Sequence, residues 1–301
     1  MPNDEKLYIS QVSDSTGNSP VLYAIKDAEA VHKIDEASYS DIFDLFADLI
    51  TFTGTEPFTL KTSNGKKWNG TIEYSTDKTT WATWDGSSST AISSGEGNIL
   101  YLRGKNNTRI SSTGLFYESH FVFTTTGTIA CTGDIRTLLD YEDPENTTMS
   151  SYCYADMFKG CTSLTVAPKL PATTLATNCY SSMFVGCTSL TTVPALPATT
   201  LPNGCYSNMF YNCTSLTTIP ALPATTLANY CYQYMFNGCT NIKLSTTQTG
   251  AYQTEYRIPT SGSGSGDADL TSTGMFSNTG GTFTGTPTIN TTYYTSNTVV
   301  S

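Results

Sequence analysis

The residues of this chain with the type and regularity to do chemistry are its cysteines. Cys153, Cys179, Cys205 and Cys231 recur every 26 residues, and so do Cys161, Cys187, Cys213 and Cys239; of the nine, only Cys131 stands outside the series. Thiols in this number bind metal, pair as disulfides, or pack reduced in a core. No CxxC occurs and no histidine lies near enough to complete a zinc site, so no metal is expected. A fixed spacing gives each cysteine the same slot in successive units. That fits stacked, reduced core thiols, with disulfides as the alternative.

Other chemistry is sparse. His32 and His120 are the only histidines, and they fall in different segments, so no Ser/His/Asp arrangement is supported. GSGSG lies in a spacer rather than after a strand, so it is no phosphate loop. The acidic run Asp140–Glu145 has no EF-hand register and reads as a solvated turn. The remaining carboxylates are scattered, and no glycosidase pair can be nominated. The sequence is therefore read as non-enzymatic, with no cofactor.

Composition narrows the partners. Charged residues are 13% of the 301, and the net charge is -10. That balance argues against nucleic acid, which needs clustered Lys and Arg, and against an anionic bilayer. No run of about 18 apolar residues is present, so no membrane insertion is expected. MPNDEKLYIS lacks a basic stretch followed by an apolar one, so no signal peptide is expected either.

The elements that would position these residues emerge from local patterns. In residues 1–50, LYISQV and VLYAIKD read as strands around SDSTGNSP. Ile42, Phe43, Phe46, Leu49 and Ile50 then fall at helical spacing. Such a helix packs on its own domain, or it anchors the chain to a partner or to its own copies. Residues 51–128 hold short runs rich in Thr, Tyr, Phe, Trp and Ile, which suggests a small β-sandwich. Trp68, Trp81 and Trp84 would pack in its core or form a sugar-stacking platform. Residues 129–150 read as a cap on the repeat array, with a short helix at Asp134–Leu139.

Residues 151–244 are the repeat, and 245–301 a spacer with a β-rich tail. CYxxMFxxC sets Cys, Met and Cys at i, i+4 and i+8, which predicts a helix ending at Gly160, Gly186, Asn212 and Gly238. Leu-x-x-Val/Ile/Ala-Pro-x-Leu predicts a short strand, and PATTL turns the chain back. A 26-residue period of this kind predicts a solenoid. Its strand side would carry two files, Thr165, Thr191 and Thr217 beside Val166, Thr192 and Thr218. Its helix side would carry Tyr211, Tyr230 and Tyr234. These hydroxyls and aromatics are the candidate binding surface.

The string MFxGCTSLTxxPxLPATTL resembles the BspA-like leucine-rich repeats of bacterial surface proteins and of phages of gut bacteria. IEYSTDKTTWATWDG, YLRGKNNTRIS and GDIRTLLD resemble the β-domain and cap that precede such arrays. VLYAIKDAEA resembles, more loosely, the start of tailed-phage fibre and virion proteins. The resemblance implies an α+β multidomain chain: N-terminal anchor, β-sandwich, short leucine-rich-repeat solenoid and β-rich tail. It implies a structural or adhesive protein at the virion surface, a fibre or decoration protein. Residues 1–50 would meet other virion proteins, the chain would form a homo-oligomer, with a trimer expected, and the repeats would meet a bacterial surface glycan or protein. The alternative it leaves open is an adhesin on the bacterial cell surface.

Overall fold

The computed structural model describes residues 8–12, 21–26, 30–34, 48–114, 119–264 and 271–301. The chain divides into two compact units, 1–47 and 48–301. In the first, β1 (Tyr8–Val12), β2 (Val21–Lys26) and β3 (Ala30–Ile34) form an antiparallel sheet in the order β1-β2-β3. The expected strands are there, with β3 added. Of the expected anchoring helix, Ile42, Phe43 and Phe46 lie outside the described residues. Its last two positions are corrected. Ile50 opens a strand, Leu49 leads into it, and both are buried in the second unit. Ile50 pairs across to Leu102, so strand pairing and burial override the local helical spacing.

The second unit begins with β4 (Ile50–Gly54), β5 (Thr59–Thr62), β6 (Thr71–Ser75), β7 (Ala82–Thr83), β8 (Ile92–Ser93), β9 (Ile99–Lys105), β10 (Phe121–Thr124) and β11 (Ile129–Thr132). With β12 (Leu164–Val166), a six-stranded sheet runs β12-β11-β4-β9-β6-β7, and a second sheet runs β10-β5-β8. Phe52 of the first sheet meets Phe121 and Phe123 of the second edge-to-face, at 6.2 and 5.1 Å. Trp68 and Trp84 are buried against each other, 5.1 Å apart. Trp81 is half-buried under the Arg103 guanidinium, 4.0 Å from its ring. The three tryptophans therefore make no open sugar platform. A 3-10 turn, Ile135–Leu138, comes after β11, with the Asp134 side chain accepting the Arg136 N–H as its cap.

The expected α+β class is corrected: the chain is mostly β, built from several small sheets, and among the described residues no helix reaches seven residues. CYxxMFxxC is not helical in any repeat. It is a run of tight turns in which alternate amides point two ways. N–H groups of Cys153, Ala155, Met157, Lys159 and Cys161 bond the carbonyl three residues back. Those of Tyr152, Tyr154, Asp156, Phe158 and Gly160 bond carbonyls of Thr177, Cys179, Ser181, Met183 and Val185 in the next unit. The backbone enters the left-handed region every fourth residue, at Tyr152, Asp156 and Gly160 in the first unit. A repeat of four residues keeps i, i+1, i+4 and i+5 inward. Over two turns it is nearly indistinguishable from the 3.6 of a helix, which is why the spacing misleads. The leucine-rich unit of helix plus strand does not form.

Each unit is a rung lying on the next. Phe158, Phe184, Phe210 and Phe236 stack at 5.5, 5.5 and 5.6 Å with rings within 6° of parallel. Tyr154, Tyr180, Tyr206 and Tyr232 stack beside them at 5.5, 5.9 and 6.3 Å. The β-domain supplies a mock rung at the start. Ile110 and Phe121 donate N–H groups to Cys153 and Met157, and the Cys161 thiol donates to the Phe121 carbonyl. A fifth rung closes the end. Tyr232, Tyr234, Phe236 and Gly238 donate to Thr271, Thr273, Met275 and Ser277, and Phe276 stacks on Phe236 at 5.7 Å. Thr271, Ser272 and Thr279 stand in its Cys, Tyr and Cys slots.

The residues on either side of that rung are more than a spacer and a tail. β14 (Leu244–Ser245), β15 (Thr254–Ile258) and β16 (Thr291–Thr295) form a sheet in the order β14-β16-β15. β17 (Thr298–Val300) pairs in parallel with β13 (Thr218–Pro220) of the third rung.

All nine cysteines are free thiols and buried. Cys187, Cys213 and Cys239 donate S–H bonds of 2.9–3.0 Å to Phe158, Phe184 and Phe210 of the preceding rung. Desolvation by burial pushes Cys179, Cys231 and Cys239 up to about 12 from an ordinary 9.0. Above pH 9 the unfolded chain loses thiol protons that the folded chain keeps, so stability falls as pH rises from 9 toward 12. Each such thiol contributes a slope of about 1.4 kcal/mol per pH unit in that window. Urea unfolding between pH 7 and 11 will show the loss, and at pH 8 a thiol reagent will label the native protein only on unfolding. Phe184→Ala removes a ring stacked on both sides, and its urea midpoint will report a loss of about 3–5 kcal/mol.

Candidate functional site

The threonine file lies where parallel main-chain bonds join the rungs. Thr191 and Thr217 donate N–H groups to Thr165 and Thr191 one rung back. Their hydroxyls donate to the same carbonyls at 3.3 and 3.1 Å, and the Thr165 hydroxyl donates to Ile129 of the mock rung at 3.1 Å. Each hydroxyl proton is therefore spent on the backbone. What faces outward is the oxygen's acceptor capacity and a methyl group. Thr191 and Thr217 are exposed and Thr165 half-buried, so the file is an acceptor array suited to ligands rich in donors.

The second file is not uniform. Thr192 is exposed beside Thr191, while Val166 and Thr218 are half-buried. The Thr218 hydroxyl accepts the Val193 N–H at 2.9 Å, and Thr218 itself pairs with Thr298 of β17. Asn297 closes the first file. Its amide donates to the Thr217 and Asn241 carbonyls at 2.9 and 3.0 Å and accepts the Lys243 N–H at 2.7 Å.

A further double file escaped the sequence reasoning. Thr173 and Thr174, Thr199 and Thr200, and Thr225 and Thr226 are all exposed, two per rung. The signal was there to be seen: PATT is spelled identically three times at the same spacing. On the second and third rungs the files run over an uncharged stretch, because residues 177–228 contain no Asp, Glu, Lys or Arg; the first rung carries exposed Lys169, paired with Asp48.

The aromatic candidates sit at the turn corners. Tyr230 and Tyr234 occupy left-handed positions, φ 63° and 52°, on the fourth rung, and Tyr211 is half-buried on the third. Among the described residues, Tyr230 is the large hydrophobic residue left most open, at 43% exposure. Tyr234 lies against Gly274 of the closing rung, so closely that a Cβ there would run into its ring.

A groove of about 150 Å³ lies between β10 and the first rung, lined by His120, Phe121, Lys159 and Thr162 among others. That is below the few hundred Å³ usual for a small-molecule site. Ser63 Oγ lies 3.1 Å from His120 Nδ1 and also accepts the His120 main-chain N–H, which ties β5 to β10. Among the described residues, no His, Cys, Asp and Glu group is arranged to hold a metal ion, and no helix is long and apolar enough to cross a membrane.

Comparison of the chain with protein-family models, curated proteins and solved structures gives no match.

Thr191→Val keeps the methyl and the main-chain bond to Thr165 but removes the outward oxygen. Its unfolding free energy will stay within about 1 kcal/mol of the parent, because one exposed neutral hydrogen bond is worth about that. A urea titration checks this, and the variant is then a clean probe of the file.

Proposed function

We propose that this chain is a non-enzymatic display protein whose rungs present a neutral adhesive surface, carried on a phage virion as a fibre or decoration protein. The observation that carries the reading is the threonine file on an uncharged stretch: hydroxyl protons are held by the backbone and oxygens face out. Such a surface accepts hydrogen bonds from hydroxyl-rich partners, and it neither attracts nor repels ions. A bacterial surface glycan fits that chemistry. Individual contacts of this kind are weak, so copies in a homo-oligomer, a trimer being the expected form, would supply avidity.

The virion assignment rests on the resemblance of VLYAIKDAEA to tailed-phage fibre leaders and of the repeats to BspA-like sequences. Residues 1–50 would then meet other virion proteins. Nine buried free thiols suit assembly in a reducing compartment better than export.

Imaging of purified particles with an antibody to residues 151–244 tests the reading. Regular labelling on particle surfaces is expected. Bare particles alongside labelled intact bacteria would replace it with the cell-surface adhesin.

A further inference from the structure

Sheet edges are where a fold of this kind can take on another strand. In the second unit most edges are covered or short. β10 donates the Phe121 N–H to Met157 of the first rung, the Thr165 carbonyl of β12 accepts the Thr191 N–H, and the Leu244 carbonyl of β14 accepts the Phe283 N–H. β7 and β8 are two residues long and β17 three. β15 is five residues long and pairs, among the described strands, with β16 alone.

The direction of its main-chain groups follows from its neighbours. Leu244 turns its carbonyl toward Phe283, so in β14 it is Ser245 that faces Tyr294 of β16. Alternation then turns Tyr293 and Thr295 of β16 toward β15, where they meet Tyr256 and Thr254. The Ile258 carbonyl, which accepts the Asn290 N–H, points the same way. Glu255 and Arg257 are left with N–H and C=O directed away from β16, and among the described residues no main-chain bond reaches them on that side. The open stretch is bounded at both ends. The Gln253 carbonyl is taken by the Gln248 side-chain amide at 3.3 Å, and Pro259 has no N–H to offer.

The side chains make this edge complementary to itself. Glu255 is exposed, and Arg257 is half-buried beside Asn290, to which its guanidinium donates. The two side chains share a face of the strand, with buried Tyr256 on the other. Two copies laid antiparallel about a twofold axis at Tyr256 set Glu255 of each against Arg257 of the other. The same register lets these residues exchange N–H···O bonds in both directions. A slip of two residues sets Glu255 against its own copy, or Arg257 against its own, and parallel pairing does both. Like charges directly opposite disfavour those arrangements.

We infer that the outer edge of β15 is a self-association site, which joins a second copy of this chain antiparallel through Glu255 and Arg257 and makes the β14-β16-β15 sheets of the two copies continuous. Contacts of this extent fall well below a standard interface, so the pairing is reversible, rises with protein concentration and weakens with salt. The inference stands apart from the display reading and from any assembly through residues 1–50.

The register is tested by cysteine cross-linking of the full chain. In the double variant Glu255→Cys, Arg257→Cys the opposed residues have Cα atoms about 5.5 Å apart, within disulfide reach. Each single variant offers only a diagonal partner, at about 7–8 Å. Mild oxidation, quenching with a thiol reagent and a non-reducing denaturing gel will show a two-chain band for the double variant. The single variants will show little of it, and the parent none, because its nine thiols are buried. Sedimentation velocity tests the charges. Glu255→Arg and Arg257→Glu will each weaken concentration-dependent association at least about tenfold, and the double swap will restore it. Glu255 is exposed, so the urea midpoint of Glu255→Arg will match the parent's, which separates lost pairing from lost fold. A double-cysteine variant without the two-chain band, single variants that cross-link as readily, or like-charge variants that associate as the parent does overturn the site. None of these outcomes changes antibody labelling of particles, so the display reading is judged separately.

Discussion

The architecture of the rungs depends on how each one divides its main-chain amides. One amide closes a turn and the next reaches to the following rung, in strict alternation. This satisfies backbone groups that would otherwise be buried and orphaned. It also dictates the side chains. The alternation forces a left-handed corner every fourth residue, and the corners leave i, i+1, i+4 and i+5 facing inward. Identical inward residues on successive rungs then superpose. The Phe column with steps of 5.5 to 5.7 Å is the result, rather than the cause, of that register.

A stack of this kind has exposed ends, and both are handled by borrowing. At the start, Ile110 and Phe121 come from separate parts of the β-domain, yet they offer the amides a preceding rung would offer. β11 pairs antiparallel with β4 on one side and parallel with β12 on the other, so the domain's sheet continues into the ladder of rungs. At the far end, the closing rung keeps Met275 and Phe276 but takes hydroxyls in place of the thiol and phenol slots. Ser272 and Thr279 satisfy themselves on the Pro287 and Phe276 carbonyls, at 3.2 and 2.8 Å.

The period and the inward residues were legible in the sequence, because each is a statement about equivalent slots; the state of the thiols was left open there between free stacked thiols and disulfides. The secondary structure was not legible, because periods of 3.6 and 4.0 diverge too little over nine residues. A finer signal existed. Asn, Gly, Asp and Ser fill most slots at 156, 160, 178, 182, 186, 204, 208, 212 and 238, a spacing of four that a helix has no reason to repeat. The closing rung was half visible, in the return of MF at Met275, but its Cys and Tyr slots had changed identity. Thr165, Thr191 and Thr217 could be placed in register from their spacing alone. That their protons point inward could not, since it depends on the carbonyl of the rung behind. Leu49 and Ile50 were assigned to a helix that their long-range partner, Leu102, precludes for Ile50.

Asn297 sets a boundary on how this protein can change by duplicating its own units. A copied unit inserted between the first and third rungs meets, above and below, the same inward Cys, Tyr, Met and Phe slots it left. The same unit placed after the third rung finds the amide of Asn297 already wedged between Thr217 and Lys243, bonded to both neighbours. Growth in length is therefore open in one half of the array and shut in the other, and homologues of different size should differ in their early rungs.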